Sequence, residues 1–133
     1  MAHNETKLET QTLYQGRIIE VRKDRVRLEN GKETVRELVV HHGGVCIAAV
    51  DQQDRLLLVR QFRYPYGTEI IELPAGKIEL GEDPRECGIR ELQEECGCTA
   101  DRFEKLGELY PTPAYCTEVI HIYQASGLHE TSQ

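Results

Sequence analysis

No apolar run in this chain approaches the roughly 20 residues that a membrane-spanning helix needs. The opening residues, MAHNETKLETQ, are polar and lack the apolar centre of a secretory signal. Positive charge is also short: 16 Lys and Arg stand against 23 Asp and Glu, for a net charge of -7. A surface of that sign disfavours broad binding to nucleic acid or to an anionic membrane. It leaves open a phosphorylated small molecule, because a local cation site inverts the field around it. A second Cys or His pair at zinc-site spacing is missing beside the C-x-C of Cys96 and Cys98. Cys46, Cys87, Cys96, Cys98 and Cys116 are odd in number and sit in apolar contexts, so free, reduced, buried thiols are expected. No internal repeat or low-complexity segment occurs. A globular chain of 133 residues, a length that suits one core, with the cytoplasm as its default location, is the expectation.

Residues 1–10 read as a frayed end. The stretch GRIIEVRKDRVRLENGKETVRELVV is rich in β-branched residues and is broken by Asn30-Gly31, a hairpin signal. Two or three antiparallel strands are expected there, too polar to form a core alone. GGVCIAAV (43–50) has the pattern of a buried strand, and RLLLVRQF (55–62) is expected to return alongside it after the DQQD turn. EIIELPAG (69–76) is another short strand, ended by Pro74 and Gly76. EKLGELY and EVIHIYQA read as two more, joined by the loop PTPAYCT. Strands around one central helix indicate a mixed α/β domain.

The helix lies in GKIELGEDPRECGIRELQEECGC (76–98). Asp83 is a good N-cap, Pro84 suits the first helical position, Glu86 completes a capping box, and Gly97 suits the C-terminal cap. Ile89, Leu92 and Cys96 follow helical spacing and are expected to face the core. Gly88 costs a helix roughly 1 kcal/mol against alanine. Its missing side chain leaves room for another backbone to approach, for which the LPAG loop is the expected neighbour. Between Glu79 and Glu95 the stretch also holds Glu82, Asp83, Glu86, Glu91 and Glu94. Glu91 and Glu95 are four apart, a spacing at which like charges repel by roughly 0.2–0.5 kcal/mol. One reading is a solvated acidic face. The other is a divalent cation held between the carboxylates, for which an oxygen-rich cluster beside a glycine turn suits Mg²⁺ or Mn²⁺.

The stretch resembles the Nudix box, G-x5-E-x7-R-E-U-x-E-E-x-G-U, with U a bulky apolar residue. The matching positions are Gly76, Glu82, Arg90, Glu91, Leu92, Glu94, Glu95 and Gly97, and Cys98 departs mildly at the last U. The flanks LLLVRQFRYPYG…IIELPAGKIELGEDP and YPTPAYCTE, with Pro113 about fifteen residues past the box, resemble the ADP-ribose pyrophosphatase branch. The resemblance covers roughly residues 14–127 and implies a Nudix α/β/α sandwich with a mixed sheet. It divides the chain into an N-terminal β region (1–40) and a catalytic domain (41–133).

The implied activity is metal-dependent hydrolysis of the diphosphate of ADP-ribose, or a related nucleoside diphosphate sugar, to AMP and a sugar phosphate. The alternatives are hydrolysis of nucleoside triphosphates or dinucleoside polyphosphates, and a nucleotide-binding module that does not cleave. By resemblance, Glu91 and Glu95 are the main metal ligands, joined by the Ala75 carbonyl, with Glu82 and Glu94 as further ligands or water holders. Arg90 is expected to orient these glutamates. Arg36 and Arg63 match positions that contact substrate, against a plain strand-surface ion pair for each. Arg60 is expected to stay on the surface. Glu118 matches a glutamate near substrate and metal. Tyr14, Tyr64 and Tyr66 are expected as packing residues, with adenine stacking as the alternative. His41 and His42 receive no role. The N-terminal strands resemble a subunit-exchanged region, which implies a homodimer.

In this branch an acidic run, whose glutamate is thought to bind metal or activate water, precedes a closing strand and helix. The sequence reaches Gln133 about where that run should begin, and Glu130 falls too early. The expectation is therefore a chain lacking its closing strand and helix that hydrolyses slowly.

Overall fold

The turn at Asn30-Gly31 is closed by three local hydrogen bonds. Leu28 N–H donates to the Lys32 carbonyl at 2.7 Å, Gly31 N–H to the Leu28 carbonyl at 2.9 Å, and Lys32 N–H to Asn30 Oδ1 at 2.9 Å. It joins β2 (Glu20–Arg27) to β3 (Glu33–Val40), and β1 (Thr6–Gln15) pairs with β2, giving an antiparallel sheet in the order β1-β2-β3. The computed structural model describes residues 3–131. Within the stretch expected to fray, residues 1–2 lie outside the described residues, while Thr6 onward is strand. The reason is pairing: Thr6 sits opposite Arg27 and Thr10 opposite Asp24, so the polar N-terminal residues complete a ladder although almost all of β1 is exposed.

The chain divides into two compact units. The first holds this sheet together with Tyr110–Glu118. That loop is tied to the end of β3 by bonds from Val39 N–H to the Tyr115 carbonyl (2.7 Å) and from Thr117 N–H to the Val39 carbonyl (2.9 Å). The Thr117 hydroxyl oxygen also accepts from His41 N–H at 2.9 Å.

The second unit, Gly43–Leu109 with the chain from Val119 onward, contains β4 (Gly44–Ala49), β5 (Val59–Arg63), a 3-10 turn (Tyr64–Tyr66), β6 (Thr68–Glu72), β7 (Ala75–Lys77), α1 (Pro84–Cys96), β8 (Cys98–Leu109) and β9 (Ile120–Glu130). Its four-stranded sheet runs β7-β4-β9-β8, with β4 and β9 parallel and the outer pairs antiparallel. This is the mixed α/β architecture that the strand and helix pattern predicts. The expected return of 55–62 alongside 43–50 is replaced by a single bridge between Val50 and Leu56, and β5 pairs with β6 as a separate ribbon. The strand expected from Glu104 starts six residues earlier, at Cys98, because residues from Cys98 onward find partners along β9.

The core of the second unit is built by alternation. Val45, Ile47 and Ala49 point inward from β4, Tyr123 and Ala125 from β9, and Phe103 from β8, with Cys87 and Leu92 from α1 closing over them. The helix buries Cys87, Gly88 and Leu92, whereas Ile89 is 37% exposed and Cys96 is half-buried. The i, i+3, i+7 stripe is thus rotated from expectation, since Gly88 and Cys87 allow the helix to sit close on that side. The neighbour of Gly88 is also not the LPAG backbone: a Cβ there would lie 2.7 Å from Phe103 Cζ. Tyr14, Tyr64 and Tyr66 are exposed rather than packed. All five cysteines are free, as the odd count predicts, but only Cys87 and Cys98 are fully buried.

Candidate active site

Asp83 Oδ2 accepts from Glu86 N–H at 3.2 Å, Pro84 opens the helix, and Gly97 closes it in the left-handed region. These caps fix which residues share a face. Glu91 and Glu95 fall at the margin of the packed side and are half-buried; Glu94 is exposed. They meet the segment Pro74–Gly76, where the chain enters β7. Pro74 is fully buried, and its carbonyl accepts from Ile47 N–H at 2.9 Å, which anchors the segment to β4. Next to it, Ala75 N–H donates to Glu95 Oε2 at 3.3 Å. Gly76 is required for this approach: a Cβ there would lie 2.2 Å from Glu91 Cδ.

Arg90 sits among the remaining carboxylates. Its Nε and Nη2 donate to the two oxygens of Glu82 at 2.9 and 3.1 Å, and Nη1 donates to Glu91 Oε1 at 3.0 Å and Glu94 Oε2 at 3.1 Å. The Arg90 bonds, with help from Glu79 N–H, hold the Glu82 carboxyl down at about 2. Those same carboxylates push the guanidinium of Arg90 further up. Glu91 goes the other way: burial raises it, against the pull of Arg90, and Glu94 and Glu95 add repulsion. Beneath the cluster, burial and the bond to Glu82 push the Cys87 thiol up to about 12, so it stays protonated.

Among the described residues no guanidinium bonds to Glu95. Besides Ala75 N–H, Gln61 Nε2 approaches its Oε1 at 3.4 Å. Gln61 lies on the face of the β5–β6 ribbon that also carries Arg63, whose Nε and Nη2 donate to the two oxygens of Glu72 at 2.6 and 2.7 Å. The bonds to Glu72 raise Arg63, and the charge of Glu95 adds to the effect. Gln61 is the residue sequence reasoning missed. Its only signal was its alternation with Arg63 on one face of the strand VRQFR.

The second unit therefore brings together Ala75, Glu82, Arg90, Glu91, Glu94, Glu95 and Arg63. Arg36 and Glu118 belong to the first unit. There, Arg36 forks onto Glu5 (2.9 and 3.2 Å), and Glu118 Oε2 lies 3.7 Å from His41 Nδ1. Arg60 stays on the ribbon surface, 3.8 Å from Glu69. Among the described residues no three Asp, Glu, His or Cys side chains converge as a ready metal cage. The guanidinium of Arg90 occupies the middle of the acidic cluster, and the negative charges turn toward it.

Such an arrangement can hold hard cations and phosphate oxygens on one surface, with carboxylates and guanidinium groups side by side. Comparison with known proteins agrees with it. The NUDIX domain pattern matches residues 40–133, and the nucleoside diphosphate sugar hydrolase N-terminal domain matches residues 5–39. The methanol dehydrogenase activator of Bacillus methanolicus is 39% identical over 124 residues, covering 93% of this chain and 67% of the relative. The ADP-ribose pyrophosphatase of Bacillus subtilis (strain 168) is 39% identical over 116 residues, covering 87% of this chain and 63% of the relative. The chain thus spans about two thirds of the length of these relatives. A solved structure described as an ADP compounds hydrolase superposes with a TM-score of 0.84 at 26% identity, over 97% of this chain and 70% of the other. With most of its length matched by the NUDIX domain and the box residues carried by α1 and the turn before it, the chain belongs to the Nudix family.

Proposed function

We propose that the protein hydrolyses the diphosphate of ADP-ribose, or of a closely related nucleoside diphosphate sugar, to AMP and a sugar phosphate. The observation that carries this reading is the seat of Glu91 and Glu95 against Ala75 and Gly76, with Arg63 in the field of Glu95. The names of the relatives point to the same substrate class.

The donor set fits a divalent cation of the Mg²⁺ or Mn²⁺ kind, all hard oxygens, with Glu91 and Glu95 and the Ala75 carbonyl as principal ligands and Glu82 and Glu94 beside them. Gly76 leaves the space that the Glu91 carboxylate fills, which brings that carboxylate against the Ala75–Gly76 backbone. A bound cation would supply charge neutralisation of the diphosphate and a more acidic water. The chain's own groups do the rest. Arg90 holds Glu82, Glu91 and Glu94 in place by charge-assisted bonds. Gln61 and Ala75 N–H orient Glu95. Arg63, already presented as a fork to Glu72, exchanges that carboxylate for phosphate oxygens. Arg36 is proposed to contact substrate in the same way, and Glu118 to take part near the reacting phosphorus. The reading includes a homodimer formed through the first unit, where Leu13, Tyr14, Ile18 and Val35 are exposed. It places the protein in the cytoplasm; among the described residues no helix is long and apolar enough to cross a membrane.

The test is a hydrolysis screen over ADP-ribose, ADP-glucose, NADH, diadenosine polyphosphates and dNTPs, read as AMP or phosphate release with Mg²⁺ and with EDTA. ADP-ribose or ADP-glucose turnover that depends on the cation is expected. Preference for dNTPs would overturn the substrate assignment.

A further inference from the structure

Two close approaches clamp α1. At one, Gly76 leaves room for Glu91. At the other, Gly88 leaves room for an aromatic ring: a Cβ on Gly88 would lie 2.7 Å from Phe103 Cζ, 3.1 Å from Phe103 Cε1 and 3.6 Å from Tyr123 Cδ2. Phe103 has little freedom to yield. It is 8% exposed and stacks on Tyr123 with ring centroids 4.9 Å apart, and Tyr123 is itself 5% exposed. The Arg85 guanidinium, one residue after the start of the same helix, covers the Phe103 ring at 5.7 Å from its centroid. Glycine is unfavourable inside a helix. At this position the depth to which the helix can sink onto the ring offsets that.

We propose that Phe103, braced by Tyr123 against Gly88, is a positioning residue. It sets how deeply α1 sits, and so how closely Glu91 and Glu95 approach Gly76 and Ala75. The proposal rests on the reading of those carboxylates as metal ligands. Carbon atoms prefer separations of about 3.5–4.0 Å, so relieving the 2.7 Å contact that a Cβ added at Gly88 would make calls for a shift on the order of 1 Å. The Glu91 side chain fills the space beside Gly76, and the Ala75–Glu95 bond is already 3.3 Å long, so both contacts depend on where the helix sits. A misplacement on the order of 1 Å in such a site can cost roughly 10²-fold in function.

The experiment is a cycle on the full chain: Gly88→Ala, Phe103→Leu and the double variant, each checked for fold by circular dichroism and thermal midpoint. Two readouts avoid turnover. One is Mn²⁺ affinity, from the spin-resonance signal of free Mn²⁺. The other is hydrogen exchange of the Ala75 amide without metal, against the Val50 amide, which bonds to the Ala125 carbonyl, as control. Gly88→Ala is expected to weaken Mn²⁺ binding and to speed Ala75 exchange, each by about tenfold or more, with Val50 unchanged. Adding Phe103→Leu makes room for the new methyl and is expected to recover most of both losses. A folded Gly88→Ala with neither property changed, or a double variant no better than the single, overturns the proposal. If the unaltered protein takes up no Mn²⁺, the metal reading falls, and Ala75 exchange alone decides the positioning role. Should Gly88→Ala fail to fold, Phe103→Leu alone is read. Loss of the brace is then expected to change Ala75 exchange by about threefold or more, and an unchanged rate overturns the proposal.

Discussion

The two units differ in what their strands bury. In the second, β4, β8, β9 and α1 share one contiguous apolar cluster from Val45 to Leu128. In the first, Val26 is the one hydrophobic side chain classed as buried among the described residues, and the sheet is laced with surface pairs such as Arg25–Glu9 and Arg36–Glu5. A solvated three-stranded sheet with ion pairs worth about 0–1 kcal/mol each has little to hold it. The lesson is a division of labour. The unit carrying the box is built as a rigid seat for carboxylates. The other gathers no such cluster and leaves Leu13, Ile18 and Val35 exposed.

The sharpest way to break this contrast is Leu92→Ala. Leu92 is 1% exposed and ties α1 to the sheet, so its truncation is expected to cost about 2–5 kcal/mol in urea unfolding. A loss comparable with a surface substitution would mean that the cluster is not the stabilising centre. Next comes Glu95→Gln, which leaves the packing intact and is expected to lower turnover on ADP-ribose by roughly 10²-fold or more. Circular dichroism should be unchanged, and near-normal rates with Mg²⁺ would remove Glu95 from the site.

Val26→Ala probes the weaker unit. Two methylene equivalents at about 0.8 kcal/mol each give a loss of roughly 1–2 kcal/mol. If the first unit is held by a second copy, that loss should grow on dilution, which light scattering and unfolding at two concentrations would reveal.

The smallest effects concern pH. Bonding to Arg90 and Glu79 N–H lowers Glu82 from 4.5 to about 2, so its contribution is present above 4.5 and is lost as pH falls toward 2. Glu82→Gln should flatten that acid limb. Glu91 is raised by burial, so its ionised form burdens the fold above that raised value, and protonation relieves the burden as pH falls through the ordinary carboxylate range. In metal-free protein, Glu91→Gln should therefore raise the thermal midpoint at pH 7 and lose that advantage near pH 4. A midpoint lowered at pH 7 would show the bond to Arg90 outweighing burial.

What the sequence determined by itself was everything governed by neighbours along the chain. Asp83, Pro84 and Gly97 bound the helix because capping involves residues within a turn of each other. Asn30-Gly31 marks its turn for the same reason. The spacing of Glu82, Arg90, Glu91, Glu94 and Glu95 was legible because one helix and the turn before it present them. Tertiary structure alone decided what crosses between elements. Periodicity pointed to Ile89 as a core residue, yet the contact of Gly88 with Phe103, fifteen positions away, turned the buried face toward Cys87 and Gly88. It likewise sent β5 to β6 instead of β4, placed Gln61 on Glu95, and left Arg63 on Glu72 and Arg36 on Glu5. Each of these depends on which surfaces fill one another's volume and which charges meet across space. Local propensity and spacing carry no record of that.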